Sequence, residues 1–242
     1  KLERFFKKIK YMLVKIIVLF IFIGNISAQT KSLNVNYSLH IGFDEGFSKN
    51  DVLKDYYALA QKGAKAVKFK LEANKSVSYF TMEDLIKNEE IDFAMAFSDA
   101  STSYFIDIDK GKKTRYESGY FGEYMIEFQE TTNWRLENET KQIDGYLCYK
   151  ATSEQVVVNS KGTFKHPIVA WYCPNIPFNF GPKGYTSLPG LILELQVRNI
   201  TWGATKIELS KENKIIEKPK KGKLITEEEF KKIIASPPIF GK

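Results

Sequence analysis

The chain has 242 residues, a formal net charge of +7 and only two histidines. Most of the positive charge lies in residues 1–28, which hold six cations and one acidic residue, so the remaining residues carry only +2. In that remainder cations alternate with acids except in the short run KPKKGK, which argues against nucleic-acid binding. The length is sufficient for one large domain or two small ones, and the pattern below favours one.

The N-terminal segment predicts export. A lysine precedes an apolar core at residues 16–23, and a glycine and small residues lead up to Ala28, an arrangement typical of a cleaved secretory signal. We expect cleavage after Ala28 or Gln29, with Met12 as a candidate for the true start. A retained anchor is the alternative, but the apolar stretch 12–23 is shorter than the roughly 20 residues that span a bilayer. We therefore predict no stable transmembrane anchor after signal cleavage.

The first part of the exported chain alternates between strand and helix patterns. SLNVNYSLHI has an apolar residue at every second position, which predicts a half-buried strand. SKNDVLKDYYALAQKG has a helical stripe, with Ser48 as its N-cap and Gly63 just after its C-terminus. Alternation returns in AVKFKLEA and SVSYF. TMEDLIKNEEIDFAMAF is ambiguous between a helix capped by Thr81 and a helix followed by a strand.

The middle of the chain predicts a meander of strands. From Thr102 to Cys173, alternating segments follow one another at spacings of about ten residues, with Gly, Asn or Asp between them. Aromatic residues, which pack well on pleated surfaces, make up 14% of the chain. We therefore predict a mainly β (α+β) fold, built as an antiparallel curved sheet or half-barrel with a few short helices.

The C-terminal region predicts a linker and a helix. In TEEEFKKIIASPP, Thr226 is a candidate N-cap and Glu229 its reciprocal partner, whereas EKPKKGK before it is typical of a solvated linker. The predicted organisation is therefore a signal peptide at 1–28, a β-rich domain at 29–210, and a linker with the terminal helix at 211–242.

Several motifs in the second half of the chain carry a family resemblance. Trp134 is followed by ETKQIDGYLCYKAT, by VAWYCPNIPFNFGP and by LPGLIL at residues 188–193. This order resembles the GLPGLI family, secreted proteins of Gram-negative bacteria, over roughly residues 30–210. The chain departs from the family pattern where Ser187 replaces the first Gly and where Cys173 follows Trp-Tyr. The resemblance implies a β-rich fold and a location in the periplasm, at the cell surface or outside the cell. It implies no catalytic residue, because the family has no established activity.

The LPGLIL motif predicts a turn that leads into a core strand. Pro189 presets the backbone, and Gly190 accepts the positive φ that a type II turn requires. In the strand that follows, one face is formed by Leu191, Leu193, Leu195 and Val197. The functional alternative is that this turn and its neighbours form the edge of the opening of a ligand-binding site.

The loop between Cys173 and Leu188 is the predicted place for a binding site. Its three prolines prevent it from continuing a central sheet ladder, and aromatic-rich loops on a β scaffold bind apolar ligands. Phe178 and Phe180 either contact a ligand or fill the end of the sheet as core, and the sequence leaves both open. The predicted ligand-binding set comprises Trp171, Tyr172, Phe178, Phe180, Tyr185, Leu188, Pro189 and Gly190.

The chain contains two cysteines. Cys148 and Cys173 lie on consecutive predicted strands of an exported chain, a setting in which a pair often forms a disulfide. The sequence leaves a disulfide and two free thiols as equal alternatives, because it does not set the strand register that decides the distance between the two Cα atoms.

No recognised catalytic or cofactor motif is present in the sequence. There is no G-x-S-x-G elbow, P-loop or dinucleotide-binding glycine pattern, and neither His40 nor His166 has a second ligand at metal spacing, so we expect neither a cofactor nor a metal site. We predict an exported binding or carrier protein for an apolar ligand, such as a lipid or hydrophobic peptide. The alternative is an envelope-assembly or protein-interaction module that docks an envelope protein partner. An enzyme would require a deep polar pocket with convergent carboxylates or a histidine.

Overall fold

The computed structural model describes residues 30–119, 121–129, 132–159, 162–220 and 222–235. The predicted signal peptide lies outside these residues. The strands are β1 (Ser32–Ile41), β2 (Lys68–Asn74), β3 (Val77–Met82), β4 (Ser103–Asp107), β5 (Lys112–Gly119), β6 (Gly122–Phe128), β7 (Arg135–Ile143), β8 (Tyr146–Asn159), β9 (Gly162–Cys173), β10 (Leu191–Val197), β11 (Ile200–Ser210) and β12 (Lys223–Thr226). The helices are α1 (Glu45–Ser48), α2 (Lys54–Gly63), α3 (Glu89–Ser98) and α4 (Glu227–Ala235), with one 3-10 turn at Pro182–Gly184. Over this described part of the chain, every helix is too short or too polar to cross a membrane.

All these strands join into one open, bent sheet. Their order is β12-β6-β5-β4-β3-β2-β1-β11-β10-β9-β8-β7. The pairing is antiparallel apart from β12, which runs parallel to β6. Because β6 and β8 are nine positions apart in this order, a flat sheet would separate them by roughly 40 Å. Gln129, directly after β6, and Gln155 of β8 nevertheless line one cleft, so the sheet curves into a half-barrel. The predicted mainly β fold is confirmed, with one parallel strand that the alternation did not indicate.

Strand β1 lies in the middle of the sheet and has the predicted alternation. Its inward side chains are all buried: Leu33, Val35, Tyr37, Leu39 and Ile41. The hydroxyl of Tyr37 donates to the carbonyl oxygen of Ile192 at 2.7 Å. Since β11 separates β1 from β10 in the sheet, this bond crosses the concave side and helps to hold the bend.

The helices α2 and α3 approach each other at a glycine. A Cβ atom on Gly63 would lie 2.0 Å from the carbonyl oxygen of Glu90, so only glycine permits this contact. The rings of Phe47, Tyr57 and Phe97 pack together, with centroids 5.0–5.3 Å apart. This cluster holds the C-terminal end of α3 beside the cleft described below.

Two predicted helix starts are wrong because asparagine side chains cap elsewhere. Ser48 ends α1 and does not cap α2, since the side chain of Asn50 accepts the backbone N–H groups two and three residues on. Thr81 lies within β3, and α3 begins only after Asn88, whose side chain accepts the N–H of Ile91 at 2.9 Å. Both asparagines satisfy N–H groups that the helix or turn leaves unpaired.

The proline-rich loop of residues 174–190 folds into the concave side of the sheet. Its N-terminal part bonds to β10, because the N–H of Leu191 donates to the carbonyl oxygen of Ile176 at 3.0 Å. Five of its side chains are no more than 5% exposed: Ile176, Phe178, Phe180, Tyr185 and Leu188. The loop is therefore an inner layer of the core, and it forms part of the cleft floor.

Candidate functional site

A cleft of about 1140 Å³ opens between the two halves of the bent sheet. It is lined from one side by β4–β6, from the other by β8, β10 and β11, and at its rim by β12 and α4. The aromatic lining residues are Phe97, Tyr104, Phe128, Tyr185 and Trp202. The charged ones are the cations Arg115, Lys183, Arg198 and Lys231 and the acids Asp99, Glu117, Glu127, Glu227 and Glu228. Such a lining can contact both the apolar face and the polar groups of a ligand.

An ion pair in this cleft joins two residues with unusual backbones. The Nζ atom of Lys183 lies 3.0 Å from Oδ2 of Asp99 and also donates to the carbonyl oxygen of Ser98 at 3.3 Å. Both partners of the pair are left-handed, with φ of 54° at Lys183 and 52° at Asp99. At Asp99 the left-handed backbone is that of the C-terminal cap of α3, a common way for a helix to end, whereas a left-handed lysine costs of order 1–3 kcal/mol and such residues cluster at functional sites. The meeting of Lys183 and Asp99 makes this pair the centre of the candidate site.

The ammonium group of Lys183 lies near two aromatic rings. Its Nζ atom is 5.5 Å from the ring centroid of Tyr104 and 5.3 Å from that of Trp202, within the range of cation–π attraction. Burial lowers the pKa of Lys183, but the interactions with Tyr104 and Asp99 outweigh burial and raise it, so this lysine stays cationic.

Trp202, whose ring lies near this cation, has an unsatisfied polar group. The side chain is 2% exposed, and its indole N–H has no hydrogen-bond acceptor among the described residues. A buried N–H without a partner costs about 1–3 kcal/mol. The cleft therefore combines backbone strain and an unpaired donor at one place, a combination that packing alone does not require.

Arg115 organises the carboxylates on the other side of the cleft. Its Nε atom donates to Oε1 of Glu117 at 2.9 Å, and its Nη1 atom donates to Oε2 of Glu227 at 2.7 Å. Burial opposes the charge of Arg115, but the hydrogen bonds to these carboxylates outweigh burial and raise the pKa of Arg115. One arginine thus links β5 to the start of α4.

The structure places one of the predicted ligand-binding residues, Tyr185, in this cleft. Four others lie in the core, buried and away from the cleft lining: Phe178, Phe180, Leu188 and Gly190. For the two phenylalanines this is the core position that the sequence left open. Ligand binding by the predicted set stays a prediction.

The three remaining predicted residues are dispersed. Tyr172 lines a second cleft of about 240 Å³ beside Tyr149. Trp171 is half-buried, with the Nζ atom of Lys141 4.5 Å from its ring centroid. Pro189 is exposed. The structure therefore does not bring the predicted set together at one surface.

The LPGLIL motif forms a tight turn against Cys173. The N–H of Gly190 donates to the carbonyl oxygen of Leu188 at 2.8 Å, which describes a three-residue γ-turn centred on Pro189 and not the predicted type II turn. Gly190 has the predicted positive φ, 149°, and a Cβ atom there would lie 2.2 Å from the carbonyl oxygen of Cys173. Ser187 is also left-handed, with φ of 74°, at the position where the resembled family has glycine. The motif glycine is therefore required by the contact of two backbones.

Cys148 and Cys173 are buried free thiols on adjacent strands. Since Tyr149 pairs with Tyr172 in the antiparallel register of β8 and β9, the next residues in register are the two cysteines. A hydrogen bond from the Cys148 thiol, helped by backbone N–H groups of the following loop, lowers the pKa of Cys173 although burial opposes this. The same hydrogen bond, together with burial, raises the pKa of Cys148.

We expect this pair to close into a disulfide in the presence of a small-molecule disulfide oxidant. Each disulfide formed consumes one oxidant molecule, releases two small thiols and removes two hydrogen atoms from the protein. Because the closed loop has about 25 residues, the free energy of unfolding should rise by roughly 3 kcal/mol. Thiol labelling after denaturation measures the closure, and urea unfolding measures the stability. A Cys148→Ala variant is the control, since it cannot close. Two labelled thiols after oxidation would contradict the prediction.

Sequence reasoning missed the residues at the centre of the cleft. Asp99 directly follows α3, Arg115 and Trp202 lie in strands, and none of the three belongs to a motif. Only Lys183 carried a signal, because it stands between proline and glycine in the loop already selected as a binding region. These residues become neighbours only when the sheet bends.

Part of the chain matches a family model. Residues 159–194 match the model described as "Protein of unknown function (Porph_ging)". The match extends from the end of β8 through β9 and the proline-rich loop into β10, and it therefore includes the LPGLIL turn. A comparison with curated proteins finds no match.

The fold is similar to that of solved structures of PNGF-II. Two of them, in different space groups, match with TM-scores of 0.50 and 0.51 at 12% and 13% sequence identity. Each match covers 85% of this chain and 33% of the PNGF-II chain, so this chain spans about a third of the length of the protein it matches. At this identity the similarity extends to the fold alone. Over a short internal segment, then, the chain resembles a family of unknown function, and over most of its length its half-barrel has a structural counterpart.

Proposed function

We propose that the protein is an exported binding protein whose ligand occupies the cleft at Lys183 and Asp99. The observation that carries this proposal is the ion pair between two left-handed residues inside the cleft of about 1140 Å³. Strain of this kind persists only where the surrounding structure imposes it, and it is concentrated at ligand-binding and active sites. The unpaired N–H of Trp202 in the same lining supports the same location.

The lining supports a ligand that has polar groups and an apolar face. Four cations and five acidic residues line the cleft, so its net charge is close to zero and favours a ligand without a large net charge. The aromatic rings offer flat apolar contacts, and the charged groups offer hydrogen-bond donors and acceptors. The carrier for an apolar ligand, such as a lipid or hydrophobic peptide, stays a prediction, and the charged groups of this lining favour a ligand of that kind that also has polar groups.

We also propose that the protein is exported and belongs to the GLPGLI family. The leader pattern in residues 1–28 supports a periplasmic or cell-surface location, and the motif order resembles the GLPGLI family. The match of residues 159–194 to a family of unknown function includes the LPGLIL turn and is consistent with that resemblance.

An interaction module is supported by a different feature, the end of the sheet. Strand β7 is the last strand in the order, so one of its edges has no strand partner among the described residues. Such an edge can accept an added strand from another protein. The cleft supports ligand binding more directly, because its ion pair and unpaired donor have no role in edge pairing. Catalysis is supported less, since Glu117 and Glu227 are both bonded to Arg115 and neither is presented to a substrate as a single group.

Native mass spectrometry of the exported chain, purified without detergent, tests the binding function. We expect a discrete additional mass that is lost on denaturation. Ile200, which lines the cleft, is only half-buried, so an Ile200→Trp variant should fold, project a larger ring into the cleft and lose at least about 90% of the additional mass.

Leu209→Trp is the matched control. Leu209 lies on the same strand, is 40% exposed and does not line the cleft, so the additional mass should remain. Circular dichroism establishes that both variants fold. A bare chain mass throughout would overturn the binding function, and so would an additional mass that survives in Ile200→Trp. The measured mass of the released molecule also helps to identify the ligand.

A further inference from the structure

The last described segment, Lys223–Ala235, is attached to the sheet by few contacts. Strand β12 is four residues long and pairs only with β6. Helix α4 has no buried residue in its described length. Ile225 is the one residue of the segment that is buried, at 6% exposure. A segment with so little buried surface can open with a free energy far below that of global unfolding.

This segment nevertheless supplies one wall of the cleft. Thr226, Glu227, Glu228 and Lys231 are its lining residues. The other lining residues come from α3, from the main sheet and from the turn at Lys183. Moving this one segment would therefore widen the cleft while the half-barrel stays folded.

The segment contains a capping box and is preceded by a glycine. The side chains of Thr226 and Glu229 form the predicted capping box, with Thr226 N to Glu229 Oε2 at 2.7 Å and Glu229 N to Thr226 Oγ1 at 3.2 Å. Gly222, directly before β12, has φ of 95°. The linker upstream is bound to the sheet, because Lys214 pairs with Glu72 at 2.6 Å and Ile216 is buried. The position for a hinge is therefore Gly222, directly before Lys223.

The ion pair of Arg115 and Glu227 acts as a latch between the segment and the sheet. Arg115 also pairs with Glu117 on its own strand. If Glu227 leaves, the guanidinium group keeps one carboxylate partner, so opening does not leave an unpaired buried charge. The ring of Phe230 lies 5.8 Å from that of Tyr124 and 5.6 Å from the guanidinium carbon of Arg115, and it adds a side-chain contact to the latch.

We propose that Lys223–Ala235 is a hinged cap that swings away from β6 as one unit to admit and release the ligand, with Arg115 and Glu227 as its latch. This inference rests on the proposed binding function, because it assigns the cap to the same cleft. In the closed state β12 is hydrogen-bonded to β6, and in the open state it is detached from β6. In both states β6 keeps its pairing with β5.

Hydrogen exchange of the full chain without ligand tests the opening. Amides of β12 and α4 should exchange at least about tenfold faster than those of β10 and β11. A Glu227→Gln variant should raise the exchange of the cap about fivefold and leave the exchange of β10 and β11 unchanged. Glu217→Gln is the control, since it makes the same change at an exposed linker residue outside the cleft and should not alter cap exchange.

Three results would overturn the cap. Exchange of β12 and α4 at the rate of the central strands would show that the segment does not open separately. If Glu227→Gln and Glu217→Gln changed the exchange of the cap equally, the ion pair of Arg115 and Glu227 would not act as a latch. If Glu227→Gln left the half-time of ligand loss unchanged, the opening would not control the ligand, whereas a half-time shortened about fivefold supports the cap. The hydrogen-exchange experiment needs no ligand and tests the opening of the cap alone. A bare chain mass in native mass spectrometry would overturn the binding function without deciding whether the cap opens.

Discussion

Replacing Gly190 by alanine is expected to lower the free energy of unfolding by about 3 kcal/mol or more. The added methyl group would lie 2.2 Å from the carbonyl oxygen and 2.6 Å from the carbonyl carbon of Cys173, atoms of a backbone that is held in the sheet. The φ of 149° also disfavours any side chain at this position. Urea unfolding, followed by tryptophan fluorescence, measures the effect.

Gly203→Ala is the matched control for this substitution. Gly203 lies on the neighbouring strand β11, and a Cβ atom there would meet no atom within 4 Å. Its unfolding free energy should therefore stay within about 0.5 kcal/mol of the unmodified chain. A loss for Gly190→Ala as small as that of the control would contradict the close approach of the two backbones.

Phe180→Ala is the second large expected effect, with a loss of about 3–5 kcal/mol in unfolding free energy. The ring is 1% exposed, and the residue bonds to β10 through its carbonyl oxygen, which accepts the N–H of Ile192 at 3.0 Å. Removing the ring would leave a cavity that this surrounding backbone cannot fill by collapse. The same urea unfolding measures the loss.

This substitution also distinguishes the two readings of the aromatic loop. If Phe180 is core, the variant loses stability, and any ligand is lost only with the fold. If it binds a ligand, the variant stays stable and loses the additional mass in the native spectrum. Phe43→Ala is the control, because that ring is 73% exposed and its removal should cost less than about 0.5 kcal/mol.

Local sequence patterns predicted the structure correctly where the interacting residues are close together in the chain. The alternation in β1 is confirmed, and so is the capping box of Thr226 and Glu229, since each depends on residues a few positions apart. The predicted cap at Ser48 and the alternative cap at Thr81 are wrong, because the helices begin farther along the chain, after turns in which Asn50 and Asn88 accept backbone N–H groups. A single sequence does not reveal which of several capping residues is used.

The predicted site differs from the cleft because the prediction followed aromatic density. Phe178 and Phe180 occur together in a proline-rich loop, but the loop folds inward and uses them as core. Lys183 and Asp99 are 84 positions apart in the chain, and neither stands in a pattern that indicates its partner. Their ion pair requires the end of α3 and the turn at Pro182–Gly184 to meet inside the half-barrel.

By itself the sequence determined a mainly β fold, the positive φ of Gly190 and the cap of α4, because strand periodicity, turn chemistry and helix capping are short-range properties. Only the tertiary structure decided how far the sheet bends, which strands face each other across its concave side, and that β12 runs parallel to β6. These features depend on sheet twist and on contacts between distant strands, which no local pattern encodes. The cleft and the ion pair of Lys183 with Asp99 follow from that bend, and the latch of Arg115 with Glu227 follows from the pairing of β12 with β6.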